Sequence, residues 1–549
     1  MIVYSIISFV NNRNVIKYDI LSENSPYHLA LQREISNALS FATSKGYQVH
    51  PDAFAMLKGL DTDILKLIQE IIKIKIKYKE TSLILVEDIR NLISIDEKVN
   101  NIHVQQSSDG SFYNSTSMIM AAVDFSSSNQ RLSHKVISDP TPYINTGEGV
   151  KGYTSLFRSR FDKSLRILAQ RPSSKRITKI SSIKHTRGSS AHMEKSRNNT
   201  STTNSSIIAG LLMSKRSTKN GIEMLIDDDS GMLNAFAITE EVKKQASMLT
   251  LDQMVMLELD NNKRTQSFVI KNITSPDIPE HLPNRSKSGS YAVLISDLHV
   301  GSKYFMETEF IRFLNWLSST NDEVVRKIKF VCIGGDLIDG IGIFPNQDKE
   351  ILYMNIGEQM VCVVDLLTKI PKHIRVFVIP GNHDPGRRAL PQPSLPKIYS
   401  DKLYSSENFT MLGNPSLIEL DGVKVLMFHG QSLDDIIATT PGLSYSKPAE
   451  AMKVLLRARH LSPIYGQRTP IAPEQEDLMV MTEVPDVFHS GHVHITDVQN
   501  YKGTLIVNSG AWQTQTPFQQ TMGIMPTPGI MILVDLATLQ PYKIDFTQQ

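Results

Sequence analysis

Cysteine is nearly absent from this chain of 549 residues: only Cys332 and Cys362 occur, each in apolar surroundings. That excludes a disulfide framework and a thiolate zinc site, and it leads one to expect reduced, buried thiols. Long apolar runs are missing too. The stretch Met1 to Val10 is apolar but has neither a basic flank nor a small-residue cleavage site, and no segment reaches bilayer-spanning length. A soluble, cytoplasmic protein with no membrane partner is expected. The chain also lacks a strong overall charge, at +2, which by itself points to no partner. The charge is unevenly spread, however. Residues 151–200 hold 13 Lys and Arg against only Asp162 and Glu194, a pattern that suits either contact with nucleic acid or another acidic partner, or a solvated linker.

The composition is otherwise globular, and the length implies roughly three or four domains. Apolar residues recur at helical spacing in Leu29, Leu31, Ile35 and Leu39, and again in Ile64, Leu65, Leu67 and Ile68 behind candidate N-caps Asp61 and Asp63. A small helical domain over residues 1–100 is predicted. Residues 101–206 lose this periodicity to Ser-, Asn- and Lys-rich runs, a composition that cannot repay ordering entropy, so a flexible basic linker is predicted there. Residues 207–275 show strand-like segments at Ile207–Met213, Glu223–Ile226, Gly231–Ile238, Val255–Leu259 and Gln266–Ile273. These suit a small β-barrel of the OB type, a fold that often binds single-stranded nucleic acid. From residue 285 to 549, short apolar strands alternate with helices, which predicts an α/β layered domain whose strand ends carry chemistry.

Five polar motifs sit at those strand ends. Ser296-Asp297-Leu298-His299 offers a carboxylate and an imidazole two residues apart, on one side of an extended segment and within reach of a single metal ion. Gly334-Gly335-Asp336 leaves a carboxylate at a tight turn, where it can bridge two cations. Gly381-Asn382-His383-Asp384 supplies an amide oxygen and an imidazole that need not bind metal. Phe428-His429-Gly430 and Gly491-His492-Val493-His494 follow, the latter again an i, i+2 pair. Nitrogen and oxygen donors without sulfur fit manganese, iron or zinc better than calcium, with manganese the first choice. Two such ions side by side are a known device for hydrolysing phosphate esters.

Taken in order, these motifs resemble the calcineurin-like metallophosphoesterase pattern Asp-x-His, Gly-Asp, Gly-Asn-His-Asp, His-Gly and Gly-His-x-His. The resemblance implies one metal held by Asp297, His299, Asp336 and His494, and another held by Asp336, Asn382, His429 and His492. Asp336 would be the bridge. His383 would stay off the metals to stabilise or protonate the departing oxygen, with Asp384 orienting it.

The residues around the motifs narrow the resemblance. Gly335-Asp336-Leu337-Ile338-Asp339-Gly340-Ile341-Gly342-Ile343-Phe344-Pro345, Pro385-Gly386-Arg387-Arg388, Pro391-Gln392-Pro393 and His429-Gly430-Gln431-Ser432-Leu433-Asp434-Asp435 are similar to the small subunit of archaeal family D DNA polymerase. The likeness covers about residues 205–549. It implies a 3′→5′ exonuclease that proofreads the primer end, a separate large catalytic subunit as partner, DNA as substrate, and a place at the archaeal nucleoid. A sliding clamp would be a further partner, although no short motif for it is found. Arg387 and Arg388 are candidates for contact with DNA phosphate, or else for a salt bridge inside the protein. Because the barrel strands carry few aromatics beyond Phe236 and Phe268, docking of a partner is favoured over base stacking there. Two other functions fit the same motifs: a stand-alone nuclease or phosphodiesterase of repair or nucleotide turnover, and a non-catalytic scaffold.

Overall fold

The computed structural model of the chain describes residues 133–183, 205–262 and 267–548, with isolated stretches between residues 38 and 84. The chain divides into two units, Met1–Ser126 and Ser127–Gln549. In the first, the helix Ile64–Tyr78 forms where the apolar spacing predicts one. Beside it, β1 (Gln48–Val49) and β2 (Leu83–Ile84) pair in parallel, which helical periodicity alone does not anticipate. Ile68, Ile71, Ile72 and Ile84 are buried together. The helix expected around Leu29 to Leu39 falls almost wholly outside the described residues.

The second unit contains a closed five-stranded barrel and two six-stranded sheets. The barrel is built from β4 (Ser205–Thr218), β5 (Gly221–Asp228), β6 (Gly231–Ala237), β7 (Met254–Asn262) and β8 (Ser267–Thr274), in the order β4-β5-β6-β8-β7. Each observed strand overlaps one expected from the alternating apolar pattern. The helix Glu240–Ser247 lies between β6 and β7, capped by Thr239, whose hydroxyl accepts from Val242 N–H. Ile208, Leu212, Met224, Ile226, Leu257 and Phe268 fill the interior.

The first sheet runs β12 (Phe409–Met411), β11 (Arg375–Val378), β10 (Ile328–Ile333), β9 (Tyr291–Ile295), β18 (Ile530–Asp535) and β19 (Gln540–Asp545), with β9 to β12 parallel. The second runs β16 (Asp497–Tyr501), β17 (Thr504–Asn508), β15 (Val487–Ser490), β14 (Val423–Met427), β13 (Ser416–Leu420) and β3 (His134–Ser138). Side-chain alternation decides which core each residue joins. Val293, Ile295, Val331, Ile333, Val376 and Val378 point to the layer that includes the helices Glu307–Leu317 and Ile356–Leu367. Ala292, Leu294, Phe330, Cys332 and Phe377 point the other way, against Ile418, Val425, Met427 and Val507 of the second sheet. Burial on both faces explains why these strands read as unbroken apolar runs. Cys332 is fully buried and its thiol pKa is pushed up by burial, as expected for an inert core thiol; Cys362 is partly buried.

The expected linker needs correction. Residues 133–183 are structured and belong to the second unit. β3 adds an antiparallel edge strand beside β13. The helix Gly149–Ala169 follows, and Ile180 and Ile183 join the barrel core. The α/β domain therefore does not begin at residue 285, since one of its strands comes from before the barrel. Part of the basic charge of this segment is spent on internal pairs. Arg160 is 1% exposed, and its Nε donates to Asp477 Oδ2 at 2.8 Å while Nη1 donates to the Pro463 carbonyl at 2.5 Å. Lys163 pairs with Glu476 at 2.7 Å. A composition poor in apolar residues can still be ordered when its charges meet a prepared surface. Residues 101–132 and 184–204 of the expected linker lie outside the described residues.

Two outcomes follow from the Arg160–Asp477 pair. Arg160→Ala leaves a buried carboxylate without its guanidinium counter-charge and is expected to cost about 3–5 kcal/mol in denaturant unfolding of the full chain; a loss within error of zero would contradict the pairing. His460 completes the cluster: its Nε2 meets Asp477 Oδ2 at 3.0 Å and its Nδ1 accepts from Ser462 N–H, so the ring is neutral. Burial, then the Arg160 charge, lower its pKa to about 4, against about 6.5 in the unfolded chain. The stability this neutral ring contributes is complete above pH 6.5 and is lost as pH falls toward 4, and the depressed Asp477 carboxyl adds to the loss in more acidic solution. A denaturation midpoint that stays flat from about pH 7 to about pH 4 would contradict this.

Candidate metal centre

All five motifs lie just past the C-terminal ends of strands in the two sheets: Asp297 and His299 after β9, Asp336 after β10, Asn382 and His383 after β11, His429 after β14, and His492 and His494 after β15. The loops after β9 and β10 stay bonded beyond the strands, with Asp297 N–H on the Gly335 carbonyl at 2.9 Å and His299 N–H on the Asp336 carbonyl at 3.1 Å. The backbone here is not extended, contrary to the expectation from side-chain alternation. Asp297, His299, Asp336, His492 and His494 have φ of 54°, 53°, 52°, 70° and 62°, a left-handed conformation costly for residues with a Cβ. Five such residues at one site mean that the surrounding fold imposes the positions of these side chains. Gly381 and Gly491 are needed for another reason: a Cβ at either would run into the carboxylate of Asp336 or Asp297 respectively.

Asp336 stands at the middle. Its Oδ2 lies 3.2 Å from His429 Nε2, 3.8 Å from His299 Nε2 and 3.9 Å from His383 Nε2. On one side of it, Asp297 Oδ1 is 3.5 Å from His494 Nε2 and 4.0 Å from His299 Nε2, and the two imidazole nitrogens are 3.0 Å apart. On the other, Asn382 Oδ1 is 3.0 Å from His429 Nε2, and His492 joins Asp336 and His429 in a second group with metal-ligand spacing. The sequence-predicted ligands thus gather into two sets sharing the neighbourhood of Asp336. The left-handed turn sends His492 and His494 to different sets, the division that the resemblance implies.

The donor chemistry fits cations. His429 Nδ1 faces the Gly334 carbonyl at 2.9 Å and His299 Nδ1 faces Asp339 Oδ1 at 3.1 Å, so both Nδ1 atoms carry the proton and both Nε2 atoms are left for the centre. His492 Nε2 faces Asp434 Oδ2 at 3.3 Å, leaving its buried Nδ1 without a partner among the described residues. His429 Nε2 and His299 Nε2 thus face the oxygens of Asp336 and Asn382, where a ring proton or a cation can satisfy them. The titration of His429 points the same way. Burial opposes its charge, yet the Asp336 carboxylate outweighs burial and carries its pKa up to about 9. Burial likewise opposes the Asp297 carboxylate, but His494 and His429 bring its pKa down to about 2.

A further expectation is overturned. Asp384 does not orient His383: its carboxylate accepts from the backbone N–H groups of Leu337, Ile338 and Gly381 at 2.9, 3.2 and 2.8 Å, tying the loop after β10 to the loop after β11. Burial and the nearby Asp336 charge raise its pKa to about 7. His383 is held instead by the Asp339 carbonyl, 2.7 Å from its Nδ1. Arg387 is not free for DNA, since its guanidinium is paired with buried Glu474 at 2.6 Å and bonded to the Pro391 carbonyl. Arg388 is exposed.

Sequence reasoning assigned no role to Asp339, Asp434 or Gln519, whose amide lies 2.7 Å from His494 Nδ1. Asp339 is three residues beyond Asp336 and is further held by Gln347 and Gln513, each at 2.9 Å. The signal available for Asp339 and Asp434 is chemical: a metal-ligating histidine usually gives its second nitrogen to a carboxylate, and both acids lie inside motifs that already supply ligands.

Residues 292–495 match the B-subunit family of DNA polymerases alpha and epsilon. The DNA polymerase II small subunit of Methanothermobacter thermautotrophicus is 36% identical over 403 residues, covering 72% of this chain and 80% of the relative. Those of Pyrococcus horikoshii and Pyrococcus furiosus are 36% and 37% identical over 421 residues, covering 74% of this chain and 65% and 66% of the relatives. The chain thus spans just under two thirds of the length of these Pyrococcus proteins. Among solved structures, an archaeal phosphodiesterase is 13% identical with a TM-score of 0.25, covering 46% of this chain and 98% of that one.

Asp339→Asn removes the carboxylate from His299 Nδ1 and is expected to weaken manganese binding about 10- to 100-fold, read by isothermal titration calorimetry on the full chain. Affinity equal to that of the unaltered protein would show that His299 needs no such partner.

Proposed function

The chain belongs to the family of archaeal DNA polymerase II small subunits, and on that basis we propose that it is a proofreading subunit, a two-metal 3′→5′ exonuclease working with a separate large polymerase subunit. The observation that carries this reading is the position of Asp336 Oδ2 between two sets of nitrogen and oxygen donors, 3.2 Å from His429 and 3.8 Å from His299. Asp297, His299, Asp336 and His494 would hold one divalent ion; Asp336, Asn382, His429 and His492 would hold the other. Manganese is the first choice, with iron or zinc as alternatives. Such a pair supplies a hydroxide nucleophile near neutral pH and neutralises charge on the phosphoryl oxygens.

The protein's own part is positioning and proton handling. Asp339 and Asp434 fix two of the ligating rings, and the Gly334 carbonyl fixes a third. His383 keeps Nδ1–H on the Asp339 carbonyl, which aims Nε2 into the centre. Burial lowers its pKa to about 4, so the resting ring is neutral. A phosphodiester beside it brings negative charge that favours the protonated form, and the Nε2 proton is then directed at the departing oxygen. Arg388, exposed and close in sequence to His383, is the candidate for a phosphate contact on the DNA strand. The barrel is assigned to docking the large subunit, in keeping with Phe268 being buried in its core.

The test is manganese-dependent degradation of 3′-labelled and 5′-labelled mismatched primer–template by the purified chain, with Asp336→Ala as control. Stepwise shortening from the 3′ end, lost in the control, is expected. Hydrolysis of small phosphodiesters without DNA cleavage would overturn the proofreading assignment in favour of nucleotide turnover.

A further inference from the structure

Phe344 and Phe518 stack on each other, ring centroids 5.1 Å apart at an interplanar angle of 25°. Neither ring joins a hydrophobic core among the described residues, and Phe518 is 43% exposed. Met522 and Met525, nearby in the chain, are exposed as well. Phe344 is partly buried, so the exposed part of the pair is chiefly the Phe518 ring, and large apolar groups left in water together mark a contact surface.

The backbone ties both rings to the metal centre. Phe518 lies on the helix Pro517–Thr521, and the next residue, Gln519, places its amide on the His494 ring at 2.7 Å. Phe344 lies three residues before Gln347, whose amide donates to both the carbonyl and the carboxylate of Asp339 at 2.8 and 2.9 Å. Asp339 in turn holds His299. One ring is thus anchored beside the partner of His494 and the other beside the partner of His299, two ligands of the same candidate ion. An exposed Phe518 ring backed by the partly buried Phe344, both tied to the candidate metal centre, suits a nucleobase.

We propose that the Phe344–Phe518 pair is a stacking platform for the base of the 3′-terminal nucleotide while its phosphodiester lies at the metal centre. This rests on the exonuclease reading and deepens it. A base still paired in the duplex cannot lie on the platform, so the pair selects unpaired primer ends without reading their sequence.

The experiment measures kcat/KM, in manganese, for two single-stranded oligonucleotides that differ only in the last residue: a normal 3′ nucleotide, or an abasic tetrahydrofuran residue. The unaltered protein is expected to prefer the base-bearing end by about 10-fold or more, mainly through KM. Phe518→Ala should collapse that preference toward one, and Phe518→Tyr should restore it. Three outcomes overturn the proposal. If Phe518→Ala leaves the preference intact, the rings are not the platform. If it lowers both rates in proportion and Phe518→Tyr does not rescue, the pair only supports the ligands. If the preference is unchanged but capture of the large polymerase subunit is lost, the surface is a docking site. Removal of neither end by the unaltered protein would reject the exonuclease reading itself, which separates that failure from failure of the platform.

Discussion

A buried carboxylate surrounded by imidazole rings sets the conditions for the rest of this structure. Asp336 is 1% exposed and lies within 4 Å of nitrogens from three histidines, each delivered by a different strand end. A charge so placed is costly unless positive charge or hydrogen-bond donors surround it. The protein supplies one donor directly, the His383 N–H at 2.8 Å to Oδ1. The other oxygen faces ring nitrogens whose protons are held elsewhere, by the Gly334 carbonyl and by Asp339. The ligand loops therefore gather nitrogen and oxygen donors where positive charge is stabilised, and the rise in the His429 pKa expresses the same preference in the language of protons.

Holding that arrangement takes strain, and the strain is carried by the sheets. Left-handed backbone at Asp297, His299, Asp336, His492 and His494 would relax if the loops were free. They are not free, because β9, β10, β14 and β15 are packed on both faces, the loops past β9, β10 and β11 are tied together through Asp384 and backbone bonds, and those past β14 and β15 through the Gly491 N–H on the His429 carbonyl. Helical layers outside the sheets, and an apolar layer between them, provide the stiffness. In energetic terms the cores pay for the geometry of the site.

The site was more legible in the sequence than the fold around it. The candidate ligands show because metal chemistry needs particular side chains, and the glycines beside Asp336 and Asn382 because only they admit close backbone approach. The barrel strands and the α/β pattern show through the apolar alternation. What stayed hidden depends on contacts distant in sequence. The helix Gly149–Ala169 reads as linker because its face is basic, and nothing local shows that Asp477, more than 300 residues away, is waiting for Arg160. Asp384 looks like the orienter of His383 because it is next in the chain, whereas the left-handed turns and the crossing of two loops give that task to the Asp339 carbonyl. Arg387 looks free until Glu474 is brought beside it.

The central claim is that Asp336 bridges two cations. Its most direct test is a crystal of the full chain grown with manganese, with anomalous scattering used to locate the ions. The account predicts two peaks roughly 3.5–4 Å apart, both in contact with Asp336, one reached by His299 and His494 and the other by Asn382, His429 and His492, with His383 touching neither. A single peak, or two peaks of which only one contacts Asp336, would contradict it.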